Sequence, residues 1–133
     1  MIAIDTSALV AIIFDEPERH QFLDVIQRSD RILIATPTLL ETRLVVRRRR
    51  GERAVVLLDD LLNLPVFEHV PPTTSDITAA YAAFVVFGEG SGHPARLNYG
   101  DLFSYALAKT RGIPLLFKGN DFSQTDLVPA VDK

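Results

Sequence analysis

Short apolar runs alternate along this chain with longer segments of helical periodicity, and this alternation restricts the fold more than any other feature. The runs predict strands at residues 2–4, 32–35, 66–70 and 115–117. The segments between them carry apolar residues at the three- and four-residue spacing of helices. Strands and helices in alternation form a parallel sheet covered by helices on both faces. We therefore predict an α/β fold with a central parallel sheet of four to five strands.

Helix starts and ends are predicted from capping residues, prolines and glycines. These signals place helices over about residues 6–14, 16–29, 36–50, 52–64, 74–87 and 98–111. We expect Thr6 or Ser7 to cap the first helix and the Thr36 hydroxyl to cap the third. Thr74 or Ser75 should cap the fifth.

Size and composition are those of one domain. The 133 residues, 47% of them hydrophobic, suit a single domain over residues 1–133 that buries roughly two thirds of the unfolded chain's surface. Every apolar stretch is much shorter than the roughly 20 residues that cross a bilayer, and no signal-peptide pattern is visible, so we expect a cytoplasmic protein with no membrane contact. The absence of cysteine excludes disulfides, thiolate metal sites and cysteine nucleophiles.

Four carboxylates lie where a predicted strand ends or within the helices that follow: Asp5, Glu41, Asp101 and Asp121. Ligands of such sheets bind beyond the carboxyl ends of the strands, so we expect these side chains to meet at one edge. Like charges gathered there would repel one another and need a compensating cation. Carboxylate oxygens suit Mg²⁺ or Mn²⁺ better than Zn²⁺, and such ions commonly serve phosphate chemistry.

Glu41 is the least obvious member of this group because it lies inside a helix. It shares a helical stripe with Leu44, Val45 and Arg48, at the spacing i, i+3, i+4 and i+7. We therefore predict that Glu41 points inward.

Each carboxylate also has an ordinary structural alternative. Asp101 could cap its helix, and Asp121 could serve a turn after Gly119 and Asn120. The histidines, His20, His69 and His93, offer no competing metal site because no two are at ligand spacing.

Arginines are concentrated in one segment: Arg43, Arg47, Arg48, Arg49, Arg50 and Arg53 are six of the 14 basic residues. This block is either a solvated helix face or a docking surface for phosphates or an acidic protein segment. The sequence does not distinguish RNA from protein as its partner.

Four segments together resemble the PIN-domain family, and more narrowly its VapC-type toxins: residues 4–9 (IDTSAL), 39–42 (LLET), 97–101 (LNYGD) and 117–122 (FKGNDF). The resemblance covers nearly the whole chain and implies a PIN-like three-layer fold. It also implies an endoribonuclease that uses Mg²⁺ or Mn²⁺ to cut transfer or ribosomal RNA. A homodimer inhibited by a VapB-type antitoxin is expected.

The resemblance assigns roles to particular residues. Asp5 and Asp101 match the family's principal metal ligands, and Glu41 and Asp121 match its other catalytic acids. Asp126 resembles an additional acidic residue of undefined role. Thr6, Ser7 and Asn120 match supporting groups of the site. Independently of the resemblance, an acidic pocket needs a basic rim to hold a polyanion, and we expect contacts to RNA phosphates from Arg48, Arg49, Arg96 and Lys118. Hydrolysis by in-line attack would leave 5′-phosphate and 3′-hydroxyl ends.

Two other functions fit part of the pattern. A receiver-like phosphoacceptor would place Asp5 at a strand end and Lys118 after the last strand, but it needs an acceptor aspartate after a middle strand, where His69 and Val70 stand. A non-catalytic α/β binding module would fold without metal and leave RNA intact.

Overall fold

The computed structural model describes residues 1–131, and the last two residues of the predicted domain, 132 and 133, lie outside that range. Its strands are β1 (Ile2–Ile4), β2 (Ile32–Ala35), β3 (Phe67–Val70) and β4 (Leu115–Leu116). Its helices are α1 (Thr6–Ile13), α2 (Arg19–Arg28), α3 (Thr36–Arg50), α4 (Glu52–Leu62), α5 (Thr74–Phe87) and α6 (Tyr99–Arg111). A 3₁₀ turn, Phe122–Gln124, follows the last strand.

The four strands form one parallel sheet in the order β3-β2-β1-β4. Successive strands run outward from β1 to β3, and the chain then crosses back to place β4 on the other side of β1. The order therefore reverses between β1 and β4, which is where sheets of this kind bind ligands. The predicted α/β class and parallel sheet are confirmed, with four strands.

Helices cover both faces of the sheet because the strand side chains alternate between two cores. Ile4, Ile34 and Leu116 belong to the core formed with α1, α2, α3 and α4. Ala3 and Leu33, on the opposite face, pack in the core formed with α5 and α6. The result is the predicted arrangement of three layers.

Helix capping differs from the prediction at three places. Asp5, not Thr6 or Ser7, caps α1 and accepts a hydrogen bond from the Ser7 backbone. The third helix has no side-chain cap, because β2 leads directly into it and Ala35 occupies the N-cap position. Thr73 caps α5 in place of Thr74 or Ser75.

The ends of two helices also differ. α2 begins at Arg19 and not at residue 16, because the chain turns between α1 and α2 through Asp15, whose φ of 53° is left-handed. α4 ends at Leu62, two residues earlier than predicted, ahead of a turn that leads to β3. No helix within residues 1–131 has the length and apolar character required to cross a bilayer.

The inward stripe predicted for α3 is wrong in detail. Its buried side chains are Thr38, Thr42 and Val46, whereas Leu44 is 51% exposed and Arg48 is exposed. Glu41 lies at the border of this buried face and is half-buried. The buried face of α3 was not predicted because two of its three members are threonines, and a helix face is normally predicted from aliphatic residues.

Candidate active site

Asp5 lies at the carboxyl end of β1, where its backbone N–H still pairs with β4 through the carbonyl of Leu116 at 3.0 Å. The side chain is buried, with 4% of the residue exposed. Oδ2 accepts from the backbone N–H and the hydroxyl of Ser7, at 3.0 and 2.8 Å, and Oδ1 accepts from the Ser104 hydroxyl at 2.6 Å. These three bonds fix the carboxylate and leave about one of its four lone-pair positions free.

Glu41 reaches the same region from α3. Its Oε1 accepts a hydrogen bond from the Thr6 hydroxyl at 2.9 Å, so α1 and α3 meet at this carboxylate. Burial raises the pKa of Glu41 and the charge of Asp5 adds to the rise, while the Thr6 bond opposes it.

Asp101 occupies the third position of α6 and completes a capping box with Asn98. Its Oδ2 accepts from the Asn98 backbone N–H at 3.0 Å, and its own N–H donates to Asn98 Oδ1 at 3.0 Å. The predicted structural alternative for Asp101 is thus real. Burial raises the pKa of Asp101 to about 7, and the charges of Asp5, Asp121 and Glu41 contribute to the rise despite the Asn98 bond.

These three carboxylates line one pocket of about 430 Å³ beyond the ends of β1 and β4. Glu16, Arg49 and Lys118 are also in its wall. Lys118 is already paired with Glu16 at 3.0 Å and Glu18 at 3.3 Å, so little of its charge compensates the three acids. The pocket therefore carries a net negative charge. We call it the acidic pocket.

Asp121 lies outside the wall of the acidic pocket. It is exposed at the start of the 3₁₀ turn, and its charge still acts on Asp101. Within residues 1–131, no set of three or more Asp, Glu or His side chains is close enough to form a ready-made metal centre. Metal ligation by Asp5 and Asp101 thus stays a prediction.

The sequence analysis did not identify two residues that the structure brings to the site. Ser104 is fully buried and donates to Asp5, and Glu16 lines the pocket. Ser104 could have been found, because it lies one helical turn after Asp101 on the same side of α6. Glu16 offered no such signal, since its position depends on the turn between α1 and α2.

The other supporting residues divide into those that reach the pocket and those that do not. Thr6 and Ser7 hold Glu41 and Asp5, as expected of supporting groups. Ser7 also accepts the Lys118 backbone N–H at 3.0 Å, which joins the loop after β4 to the start of α1. Asn120 lines a neighbouring cleft and not the acidic pocket.

The arginine block separates into different environments. Arg43 and Arg47 pair with Asp59 and Glu52, both at 2.9 Å. The guanidinium groups of Arg49 and Arg50 stand 5.6 and 5.0 Å from the centre of the Phe14 ring.

Among the residues expected to contact phosphates, Arg49 and Lys118 line the acidic pocket. Arg48 lines a separate groove between α3 and α6. Arg96 is exposed in the 88–97 loop and lines neither.

Asp126 has a structural role. It accepts from the Tyr105 hydroxyl at 2.7 Å and from Lys109 Nζ at 2.6 Å, and so attaches the C-terminal segment to α6. It does not line the acidic pocket.

Comparison with known proteins agrees with this architecture. The sequence model of the family described as PIN domain matches residues 2–128. The chain therefore belongs to the PIN-domain family, and the receiver-like alternative is wrong.

Relatives of high identity narrow the assignment. Ribonuclease VapC30 of Mycobacterium tuberculosis is 44% identical over 126 residues, which cover 95% of each protein. Within the PIN domains, the chain thus belongs with the VapC ribonucleases.

Solved structures share the fold at lower identity. The M. tuberculosis toxin VapC20, described as cleaving the sarcin-ricin loop, gives a TM-score of 0.78 at 21% identity, over 96% of this chain and 97% of that one. A chain of the VapBC2 complex of Rickettsia felis, bound to promoter DNA, gives 0.75 at 18% identity, over 97% and 96%.

Proposed function

We propose that this protein is the toxin of a toxin–antitoxin pair and hydrolyses structured RNA, a transfer or ribosomal RNA, in the cytoplasm with Mg²⁺ or Mn²⁺. The observation that carries the proposal is the acidic pocket, in which burial and neighbouring carboxylates raise the pKa of Asp101 to about 7. Repulsion among neighbouring carboxylates is relieved when a cation binds between them, so such a pocket favours cation binding. The 44% identity to a ribonuclease supports the same activity.

The donor atoms of the pocket are carboxylate oxygens, the type of ligand that a hard divalent cation binds. Among the described residues, Oδ1 of Asp101 and Oε2 of Glu41 accept no hydrogen bond, and Asp5 keeps about one lone-pair position free. Asp5 and Asp101 would hold the ion, with Glu41 and Asp121 as further acidic groups. When bound, the ion would polarise the scissile phosphate and neutralise charge that develops on it.

The protein's own groups orient this site. Ser7 and Ser104 fix Asp5, Thr6 fixes Glu41, and Asn98 fixes Asp101. Arg49 and Lys118 line the pocket wall, and we expect them to contact RNA phosphates, Lys118 in exchange for its pairs with Glu16 and Glu18.

We infer hydrolysis by water in preference to transfer to the ribose 2′-hydroxyl, because a divalent cation held by the carboxylates of this pocket would lower the pKa of a bound water. We therefore propose products with 5′-phosphate and 3′-hydroxyl ends. Products with 2′,3′-cyclic phosphates would contradict this chemistry.

Incubation of purified, partner-free protein with total bacterial RNA tests the proposal. Reactions contain Mg²⁺, Mn²⁺ or EDTA, and Asp5→Ala protein is the control. Discrete fragments that require metal and disappear with the variant are expected. Intact RNA under every condition, with transfer and ribosomal RNA both present, would favour the non-catalytic binding module.

We propose that the antitoxin binds in the groove between α3 and α6, which is mainly apolar and has a volume of about 500 Å³. Leu40, Leu44, Tyr99 and Phe103 line it. Glu41 lines both this groove and the acidic pocket, so a segment in the groove lies beside the carboxylates. Leu44→Glu should weaken antitoxin binding and preserve cleavage, whereas Leu57→Glu, on the similarly exposed Leu57 of α4, should change neither.

We propose a homodimer through the outer face of α5. Residues 77–88 contain no charged side chain, and Ile77, Tyr81 and Val85 are 50%, 71% and 60% exposed at successive helical turns. An uncharged apolar face of this kind is suited to pairing with its own copy across a two-fold axis. Tyr81→Glu should give a monomer by light scattering, and Val56→Glu on α4 should not.

A further inference from the structure

Gly100 occupies the second position of α6, directly before Asp101, and its backbone does not require a glycine. Its φ lies outside the left-handed region, so an alanine there would be unstrained and would favour the helix. Backbone conformation therefore does not explain why position 100 is a glycine.

The reason is the carboxylate of Glu41. A Cβ built on Gly100 would lie 2.7 Å from Cδ and 2.9 Å from Oε1 of Glu41, and still nearer to Oε2. Ordinary carbon–oxygen contacts need roughly 3.5 Å, so the carboxylate would have to move by about 1 Å. Thr6 holds its Oε1 at 2.9 Å and opposes such a move without loss of that bond.

Helix α5 shows that the local motif itself does not need glycine. It begins with the same capping box, formed by Thr73 and Asp76, and the residue before its aspartate is Ser75. Ser75 is exposed. A side chain is therefore compatible with this position of a capping box, and what differs at α6 is the carboxylate that lies across it.

We propose that Gly100 is a positioning residue of the ribonuclease site: its lack of a side chain lets Glu41 lie against α6 beside Asp101. The inference rests on the proposed function, because it concerns the same carboxylates. Glu41 is the flexible partner in this contact. Gly100→Ala should consequently leave the fold intact and displace the carboxylate.

The experiment compares Gly100→Ala with Ser75→Ala, the matched change on α5, by cleavage of total RNA and by Mn²⁺ titration of the metal-free proteins. Gly100→Ala should lower both cleavage and Mn²⁺ affinity about 10- to 100-fold, as loss of an orienting group does. Ser75→Ala should lower neither. Cleavage by Gly100→Ala within about twofold of wild type would overturn the positioning role.

A double-mutant cycle of Gly100→Ala and Glu41→Ala, with Tm as the measured quantity, tests the contact independently of catalysis. Without the Glu41 carboxylate, Gly100→Ala should raise Tm by about 2–4 °C, because only the gain in helix propensity remains. In the presence of Glu41 the rise should be smaller or absent. An equal rise in both backgrounds would show that Glu41 does not restrict position 100.

The cleavage assay and the Tm measurements distinguish failure of the proposed ribonuclease function from failure of the role proposed for Gly100. Failure of the wild-type protein to cleave any RNA would count against the proposed function. The double-mutant cycle would still decide whether Gly100 makes room for Glu41.

Discussion

Helices α5 and α6 both begin with a capping box, but the aspartates of the two boxes have different roles. Each has a capping residue whose side chain accepts the N–H of an aspartate three positions later, and whose own N–H donates to that aspartate. Asp76 in α5 and Asp101 in α6 thus have matching backbone partners. Their other neighbours differ completely.

Asp76 is neutralised within the fold. It is buried, and its Oδ1 accepts from the Thr110 hydroxyl at 2.7 Å and from Arg111 at 3.2 Å, so it joins the start of α5 to the end of α6. Burial alone would raise the pKa of Asp76, but the bonds from Thr73, Thr110 and Arg111 outweigh it and leave the pKa lowered.

Asp101 faces carboxylates where Asp76 faces a guanidinium and a hydroxyl. Its pKa is raised to about 7, by burial first and then by Asp5, Asp121 and Glu41. The comparison teaches that a capping aspartate becomes a functional residue through the charges that tertiary structure brings to it, and not through its local motif.

The largest expected effect is the loss of cleavage on Asp101→Asn. The variant keeps the capping geometry and removes the charge, so RNA cleavage with Mg²⁺ or Mn²⁺ should fall at least about 100-fold. Gel analysis of total RNA measures this. Cleavage within about threefold of wild type would remove Asp101 from the mechanism.

Asp76→Ala should act on stability instead. It removes the carboxylate that accepts from the Thr73 backbone N–H, the Thr110 hydroxyl and Arg111, which should lower the free energy of unfolding by about 2–3 kcal/mol. Urea denaturation gives this value. Cleavage per folded molecule should stay at the wild-type level, and an activity loss comparable with that of Asp101→Asn would erase the distinction between the two helices.

The two aspartates should also give opposite pH dependences of stability in the metal-free protein. The pKa of Asp101 rises from 3.8 to about 7 on folding, so its contribution is fully present below pH 3.8 and is lost as the pH rises through about 7. The pKa of Asp76 is lowered, so its contribution is present above pH 3.8 and is lost as the pH falls through the folded-state value.

Denaturation of wild type and Asp101→Asn between about pH 4 and pH 8 tests the first half of this statement. Wild type should lose stability relative to the variant across that range, because the asparagine cannot ionise. A constant difference would show that the Asp101 pKa is not raised in the folded protein.

The smallest effect is expected at Asp126. The side chains of Asp126 and its partner Lys109 are 44% and 50% exposed. An asparagine would keep an oxygen that can accept from the hydroxyl of the buried Tyr105. Asp126→Asn should therefore cost no more than about 1 kcal/mol of stability and leave cleavage unchanged. A large loss of cleavage would instead return Asp126 to the active site.

How far the sequence alone predicts this structure depends on the range of the interactions involved. The alternation of strands and helices, the end of α3 at Gly51 and the start of α6 at Asn98 follow from local signals, and the structure has them. The N-cap of α1 does not follow, because Asp5, Thr6 and Ser7 are all capable caps and tertiary packing selects Asp5.

The site was predictable only in part for the same reason. Asp5 and Asp101 share the pocket, as strand-end and helix-start positions suggest. The exposed position of Asp121, the bond from Ser104 and the pairing of Lys118 with Glu16 and Glu18 depend on contacts across about a hundred residues or on loop geometry. The opposite pKa shifts of Asp76 and Asp101 could not be predicted from their local sequences, because both give the same capping box.

Calorimetric titration of Mn²⁺ into metal-free wild-type, Asp101→Asn and Asp76→Ala proteins tests the central claim most directly, under conditions where circular dichroism shows all three to be folded. We predict that wild type and Asp76→Ala bind alike and that Asp101→Asn binds at least about tenfold more weakly. Equal binding by wild type and Asp101→Asn would contradict the assignment of a metal ion to the acidic pocket.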